Sequence, residues 1–308
     1  MTNIFIDGRE GTTGLRIFER LSSRNDIKIT VLSDSERKDT EKRRQALNDC
    51  DVVFLCLPDD VAREAVSMIE NESVKVIDAS TAHRTAPGWA YGFPELSQAH
   101  REKICTSKRI AVPGCHASGF IALIYPLVEV GILPADALLN CFSLTGYSGG
   151  GKKMIAQYES EDRDIEFSAP RQYALTQQHK HLKEMAYVTG ISNMPAFMPV
   201  VGDFYSGMQV TIPLHSSMVN GASIDDIEAV YKNKYVGPIV NYADTSNGGF
   251  LSANAMSGKD SMMVNVYGNQ DRILLTATYD NLGKGASGAA VECLNLITGM
   301  EDKLGLDI

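Results

Sequence analysis

The chain has no surplus of positive charge: 29 Lys and Arg stand against 38 Asp and Glu, a formal net charge of −9. Nucleic acid is excluded as a main partner on that ground, because nonspecific phosphate binding needs a basic face. An anionic small substrate would need a local basic pocket instead. Cysteines are few and not grouped. The six of them (Cys50, Cys56, Cys105, Cys115, Cys141 and Cys293) show neither CxxC nor Cys/His ligand spacing, which argues against a zinc site or a disulfide framework and fits a reducing compartment. Long apolar runs are missing too. The longest, near Phe120–Val128, is too short to span a bilayer and contains Pro126. Met1–Asp7 enters a strand-like run with no basic n-region or signal-peptide core, so a cytoplasmic location is expected. No repeat or low-complexity stretch interrupts a chain that is 44% hydrophobic with 26 glycines, the composition of a folded α/β protein. Its 308 residues exceed the usual size of a single core, so two domains are expected.

The residues present give that outline a chemistry. Cys115 stands on a tight turn, Ala111-Val112-Pro113-Gly114-Cys115-His116, between an apolar run and a helix-like segment reaching Val130. That places its sulfur at a helix N-terminus, where open N–H groups and the positive end of the dipole favour the nucleophilic thiolate. At the other end of the first domain, a short strand (Asn3–Ile6) runs into Gly8, Gly11 and Gly14 and then an amphipathic helix. Strand, glycine turn and helix make a dinucleotide-binding start with the pyrophosphate on the helix N-terminus, although the spacing is GxxGxxG. A second strand, Lys28–Leu32, is followed by Ser33, Ser35, Arg37 and Lys38, which suit a 2′-phosphate, and by Asp34, which suits a ribose hydroxyl.

Further strands are expected at Asp51–Leu57, with Asp59 or Asp60 capping the next helix, and at Lys75–Asp78. The polar loop after Asp78 contains Arg84, a candidate grip for an anion. Beyond Gly131 the pattern changes. Leu138–Thr145 reads as a strand, and Gly149, Gly150 and Gly151 with Lys152 and Lys153 offer backbone N–H groups and positive charge to a phosphate or carboxylate. His179 and His181 lie two apart; a base for Cys115 is a more economical use of them than a metal, since no third ligand stands nearby. Alternating β-type residues in Pro199–Leu214 and Met262–Tyr279 point to antiparallel strands of an α+β domain, and small residues after Asn281 open a final apolar helix.

From Ile4 to Met300 the chain resembles the N-acetyl-γ-glutamyl-phosphate reductases of the shorter variety. The likeness is carried by GREGTTGL, IDASTAHR, YGFPEL, VPGCHASGF, TGYSGGGKK, HKHLKE and DNLGKGASGAA. Three features depart from the family: Lys183 stands where many members have proline, Val112 where asparagine is usual, and 235–257 is short and irregular. The resemblance implies an N-terminal Rossmann-like parallel-sheet domain (1–116, NADP-binding, completed by a C-terminal helix within 281–308) and an α+β catalytic and subunit-contact domain (117–280) of the semialdehyde dehydrogenase type. It also implies a homo-oligomer and NADPH-dependent reduction of an acyl phosphate to an aldehyde in arginine biosynthesis.

Residue by residue, the resemblance makes Cys115 the nucleophile, His181 its base with His179 as the substitute, and Glu184 the carboxylate orienting the base. It gives Gly8, Gly11, Thr12, Thr13 and Gly14 to the pyrophosphate, Ser33 and Arg37 to the adenosine end and Asn281 to the nicotinamide amide. Arg84, Ser148 and Lys152 fall to the substrate. Reduction of another acyl phosphate, as by aspartate-semialdehyde or glyceraldehyde-3-phosphate dehydrogenases, is the nearest rival. A Cys-His hydrolase without a nucleotide and a non-catalytic nucleotide sensor are more distant alternatives.

Overall fold

The structure is a computed structural model that describes residues 1–243 and 249–308, so five residues of the irregular 235–257 stretch lie outside the described residues. The chain divides into two compact units, one of residues 1–113 with 286–306 and one of 114–285 with 307–308. The expected boundaries fell at 116/117 and 280/281. The first junction is earlier because the helix that opens at Cys115 packs mainly on elements of the second unit.

The first unit runs β1 (Thr2–Asp7), α1 (Thr12–Ser22), β2 (Ile27–Thr30), α2 (Thr40–Asn48), β3 (Val52–Leu55), α3 (Asp59–Ser67), β4 (Lys75–Asp78), β5 (Ala90–Tyr91), α4 (Gln98–Thr106) and β6 (Arg109–Ala111). All six strands are parallel, in the order β2-β1-β3-β4-β6-β5. Because helices cover both faces, both faces of each central strand must be apolar. Ile4, Ile6, Val52 and Phe54 pack with Ile17 and Leu21 of α1 on one side. Phe5, Val53 and Leu55 pack with Leu47 of α2 and Ala62 and Ala65 of α3 on the other. Asp59 does not cap α3 as expected. Pro58 holds that position without a side-chain bond, and the Asp59 carboxylate instead accepts the backbone N–H of Thr81 at 2.9 Å and its hydroxyl, tying the loops after β3 and β4 together.

The second unit contains α5 (Cys115–Glu129), β7 (Asn140–Gly146), α6 (Gly151–Tyr158), β8 (Arg171–Gln172), α7 (His181–Thr189), β9 (Ala196–Gly202), β10 (Met208–His215), α8 (Ile224–Lys234), β11 (Val240–Tyr242), β12 (Met262–Gly268) and β13 (Arg272–Tyr279). Its sheet has the order β11-β12-β13-β10-β7-β9-β8. The sheet is mixed and not antiparallel throughout: β7–β9 and β11–β12 are parallel pairs. Between β7 and β9 the chain makes a crossover through α6 and α7, the connection that a parallel pair requires. Met208, Val210, Ile212 and Leu214 of β10 are buried and alternate with more open residues, and α5 and α8 lie against the sheet. At Gly119 of α5 a Cβ would come within 2.7 Å of Val210 Cγ2 and of the Tyr279 hydroxyl, so glycine sets how closely that helix approaches. The chain then re-enters the first unit as α9 (Gly288–Thr298), which adds Ala289, Ala290, Val291, Cys293, Leu294, Leu296 and Ile297 to the cluster around Ile4. Among the described residues no helix is long and apolar enough to cross a membrane.

Candidate active site

Cys115 is the first residue of α5, with Gly114 as an N-cap that supplies no side-chain bond. The first-turn N–H groups are therefore not taken by a side chain of the N-cap, and their partial positive charge lies at the end of the helix that carries the half-buried Cys115. The turn is held by two side chains. The Gly114 N–H donates to Glu184 Oε1 at 2.8 Å. The Tyr279 hydroxyl donates to the Cys115 carbonyl at 2.5 Å and accepts the Gly119 N–H at 3.0 Å. A Cβ at Gly285 would stand 3.1 Å from Cys115 Cβ, so the glycine leaves room beside the nucleophile. Cys50 and Cys141 are different: burial pushes the Cys50 thiol up to about 12 and raises Cys141 well above its ordinary value, which keeps both as inert thiols.

Beside this turn lie three imidazoles. His181 opens α7 and is buried, and its N–H donates to His179 Nδ1 at 3.2 Å, with the two ring centroids 4.6 Å apart. The two histidines thus meet at a helix start. His116 is the third, 5.6 Å from the His179 ring and 5.7 Å from the His181 ring. Its Nδ1 is 2.7 Å from Ser143 Oγ and its Nε2 2.6 Å from the Tyr173 hydroxyl. Burial pushes the His116 pKa down to about 3, and the neighbouring His179 adds to the shift, so His116 is a neutral hydrogen-bonding bridge near neutral pH. Burial, with Cys115 as a lesser cause, also holds the Tyr173 phenol well above its usual value. Among the described residues no group of His, Cys, Asp and Glu side chains could hold a metal ion.

His116 carries a pH prediction. Its folded pKa lies below the ordinary 6.5, so between those values the unfolded chain binds the extra proton and acid favours unfolding. Stability from urea unfolding should fall by a few kcal/mol, on the order of 1.4 per pKa unit, as pH drops from about 6.5 towards 3. His116→Gln should flatten that slope; an unchanged slope would assign the acid sensitivity elsewhere.

Ser148 and Asn281 form a second buried group in this unit. Asn281 Nδ2 donates to Ser148 Oγ at 3.0 Å, while its Oδ1 accepts the Gly207 N–H at 2.9 Å. The amide spans two backbone segments and orients Ser148, a bracing job the sequence reading assigned to no residue. Lys152 and Lys153 are exposed in the first turn of α6.

In the first unit, Arg84 is buried. Its Nε donates to the Val112 carbonyl at 2.9 Å and its Nη2 to the Ala79 carbonyl at 3.2 Å. It braces the segments leaving β4 and β6, which gives it a structural task beyond the anion grip expected of it. The turn from β1 to α1 is built on close approach of backbone to backbone. Gly8 has φ +87°, and a Cβ there would lie 2.3 Å from the Cys56 carbonyl oxygen; one at Gly14 would lie 2.5 Å from that of Gly8. Gly11 caps α1 without a side-chain bond, no acidic residue occupies the first turn, and Thr12 and Thr13 begin it. This is a cradle that side chains would fill, opening on a helix N-terminus. The sequence reading did not find Arg43, whose Nε donates to Asp7 Oδ2 at 2.7 Å just before the glycine turn. Burial, only partly offset by Arg43, raises the Asp7 pKa.

A parallel nucleotide-type unit followed by a unit opened by a helix-start cysteine defines the semialdehyde dehydrogenase class. The signature of the semialdehyde dehydrogenase NAD binding domain matches residues 3–104, and that of the semialdehyde dehydrogenase dimerisation domain matches 115–281. The aspartate semialdehyde dehydrogenase of Candida albicans, solved with NADP, shares the fold with a TM-score of 0.69 over 97% of this chain and 98% of that one, at 15% identity. The chain is 44% identical to "N-acetyl-gamma-glutamyl-phosphate reductase 2" of Nostoc sp. over 98% of each protein. It is 43% identical to the protein of that name from Pseudomonas putida over 96% of each. The chain therefore belongs to the N-acetyl-γ-glutamyl-phosphate reductase family.

Proposed function

We propose that the protein reduces N-acetyl-γ-glutamyl phosphate to N-acetylglutamate 5-semialdehyde with NADPH in the cytoplasm, releasing phosphate, as a step of arginine biosynthesis. The observation that carries this reading is Cys115 at an uncapped helix start, with its turn held by Glu184 and Tyr279 and three imidazoles beside it. An acyl phosphate brings its own leaving group, so the chain has to supply a nucleophile and a proton carrier. The Cys115 thiolate attacks the acyl carbon, forming the C–S bond as the C–O bond to phosphate breaks, and the acyl group is held as a thioester. The nucleotide, when bound, supplies a hydride to the thioester carbon. His181, with His179 against its backbone N–H, takes the thiol proton and gives it to the oxyanion that hydride addition forms; when the thiohemiacetal collapses, its hydroxyl proton returns to His181 as the C–S bond breaks, releasing aldehyde and thiolate.

His116 is not given this role, because a group protonated only near pH 3 cannot hold a proton at neutrality; it positions Tyr173. Glu184 is assigned to the Gly114 N–H, and so to the aim of the sulfur, in addition to its place on the same helix as His181. Gly8, Gly11, Thr12, Thr13 and Gly14 hold the pyrophosphate and Ser33 and Arg37 the adenosine end. Ser148, set by Asn281, binds substrate, with Lys152 or Lys153 meeting the phosphate.

The test is the reverse reaction, NADP reduction by N-acetylglutamate semialdehyde. The rate should depend on added phosphate or arsenate. Turnover of aspartate semialdehyde instead would keep the chemistry and replace the substrate.

We also propose a homo-oligomer built on the second unit. Its sheet carries the half-exposed Phe142 and Leu274, with Leu274 paired in register with the exposed Pro213 and Phe142 with Thr211. A carboxylate buried there against a second copy costs several kcal/mol. Leu274→Asp should shift the protein to monomer in sedimentation, and an unchanged mass would place the contact on another face.

A further inference from the structure

β2 lies beside β1, pairing Phe5 with Thr30, and the chain past Thr30 flanks the end of the strand that enters the glycine turn. In dinucleotide-binding sheets this segment meets the adenosine ribose. A carboxylate there accepts from the 2′-hydroxyl, and a basic side chain accommodates a 2′-phosphate. This chain has both kinds of group within one short turn. Ser33 donates twice to the same oxygen of Glu36: its backbone N–H is 2.9 Å from Oε2 and its hydroxyl 2.6 Å. Those two bonds hold the Glu36 carboxyl below the usual carboxylate range. Arg37 Nη2 stands 3.2 Å from Asp34 Oδ1. The two donors expected to hold a 2′-phosphate therefore both face carboxylates, and the Ser33 donors converge on one.

We infer that Glu36 is a specificity-determining residue of the nucleotide site. Its carboxylate accepts the 2′-hydroxyl of an unphosphorylated ribose, and it must release Ser33 before a 2′-phosphate is held, so it narrows the preference for NADP over NAD. The inference rests on reading the first unit as the nucleotide domain. A 2′-phosphate approaching Ser33 meets a like charge at hydrogen-bond range, whereas a hydroxyl meets an acceptor. Asp34 is more exposed than Glu36 and is paired with Arg37, so the effect is centred on Glu36.

The experiment is calorimetric titration of the full-length protein with NADP and with NAD, for wild type, Glu36→Gln and Ser33→Ala. Glu36→Gln removes the charge at nearly constant volume on a solvent-facing turn. It should tighten NADP and weaken NAD, moving the ratio of the two Kd values by about tenfold or more towards NADP, the size of one charge-assisted bond. Ser33→Ala deletes a donor and leaves the carboxylate, so it should move the ratio the other way. A Glu36→Gln ratio within about twofold of wild type, below what one such bond supplies, overturns the role of Glu36. Wild type that binds neither nucleotide overturns the nucleotide-domain reading, and this inference with it.

Discussion

Replacing Cys115 by serine is expected to lower the phosphate-dependent reduction of NADP by about three orders of magnitude or more, the scale seen when a covalent nucleophile is removed. NADP affinity and thermal stability should stay at wild-type levels. The side chain changes by one atom, but the helix start that favours a thiolate cannot ionise an alcohol, whose proton is held far more tightly. The side chains of Glu184 and Tyr279 hold the turn by bonding its backbone, the Gly114 N–H and the Cys115 carbonyl, so the fold does not depend on the sulfur. Steady-state rates beside a nucleotide titration separate the two effects. A serine variant within about tenfold of wild type would remove covalent catalysis from the proposal, because a hydroxyl at this position lacks a comparable activation.

Gly8→Ala is expected to be the most damaging single change in the first unit. The added Cβ would lie 2.3 Å from the Cys56 carbonyl oxygen, in a backbone with φ +87°, and neither the main chain of β1 nor the segment after β3 can yield cheaply. Strain and clash together should cost about 2–4 kcal/mol. The turn should open enough to weaken NADP binding by roughly 100-fold, since misplaced N–H groups no longer converge on the pyrophosphate. Urea unfolding and nucleotide titration measure the two losses. An alanine variant that loses stability but binds NADP normally would place the pyrophosphate elsewhere.

Features set by short-range patterns were legible in the sequence. The apolar runs of β1, β3 and β4, the glycine turn at 8–14 and the Pro-Gly-Cys turn each reflect a local requirement of backbone or burial, and they were read near their observed positions. Side-chain partnerships across the fold were not. His116 meets Tyr173 57 residues away, and nothing in either neighbourhood marks the pair. Arg43 looked like one charge among many on a solvated helix, yet it reaches Asp7 at the end of β1. Asp59 stands where a cap is expected and bonds Thr81 instead, because a loop brought by tertiary packing offers it better donors. The mixed pairing of the second sheet was missed for a related reason: alternation reveals which face of a strand is buried, not the direction of its neighbour.

The return of the chain to its first unit has a consequence for synthesis. On the ribosome, residues 1–113 precede 286–306 and can form their parallel strands, but the sheet face that α1 covers in part stays incomplete until Ala289–Ile297 arrive. The second unit is continuous in sequence apart from its last two residues, so it can condense while the nucleotide unit still waits for its final helix. Translation that stops before residue 286 would release a polypeptide with a nearly complete second unit and a sticky, half-built first one, a natural substrate for chaperones and proteases.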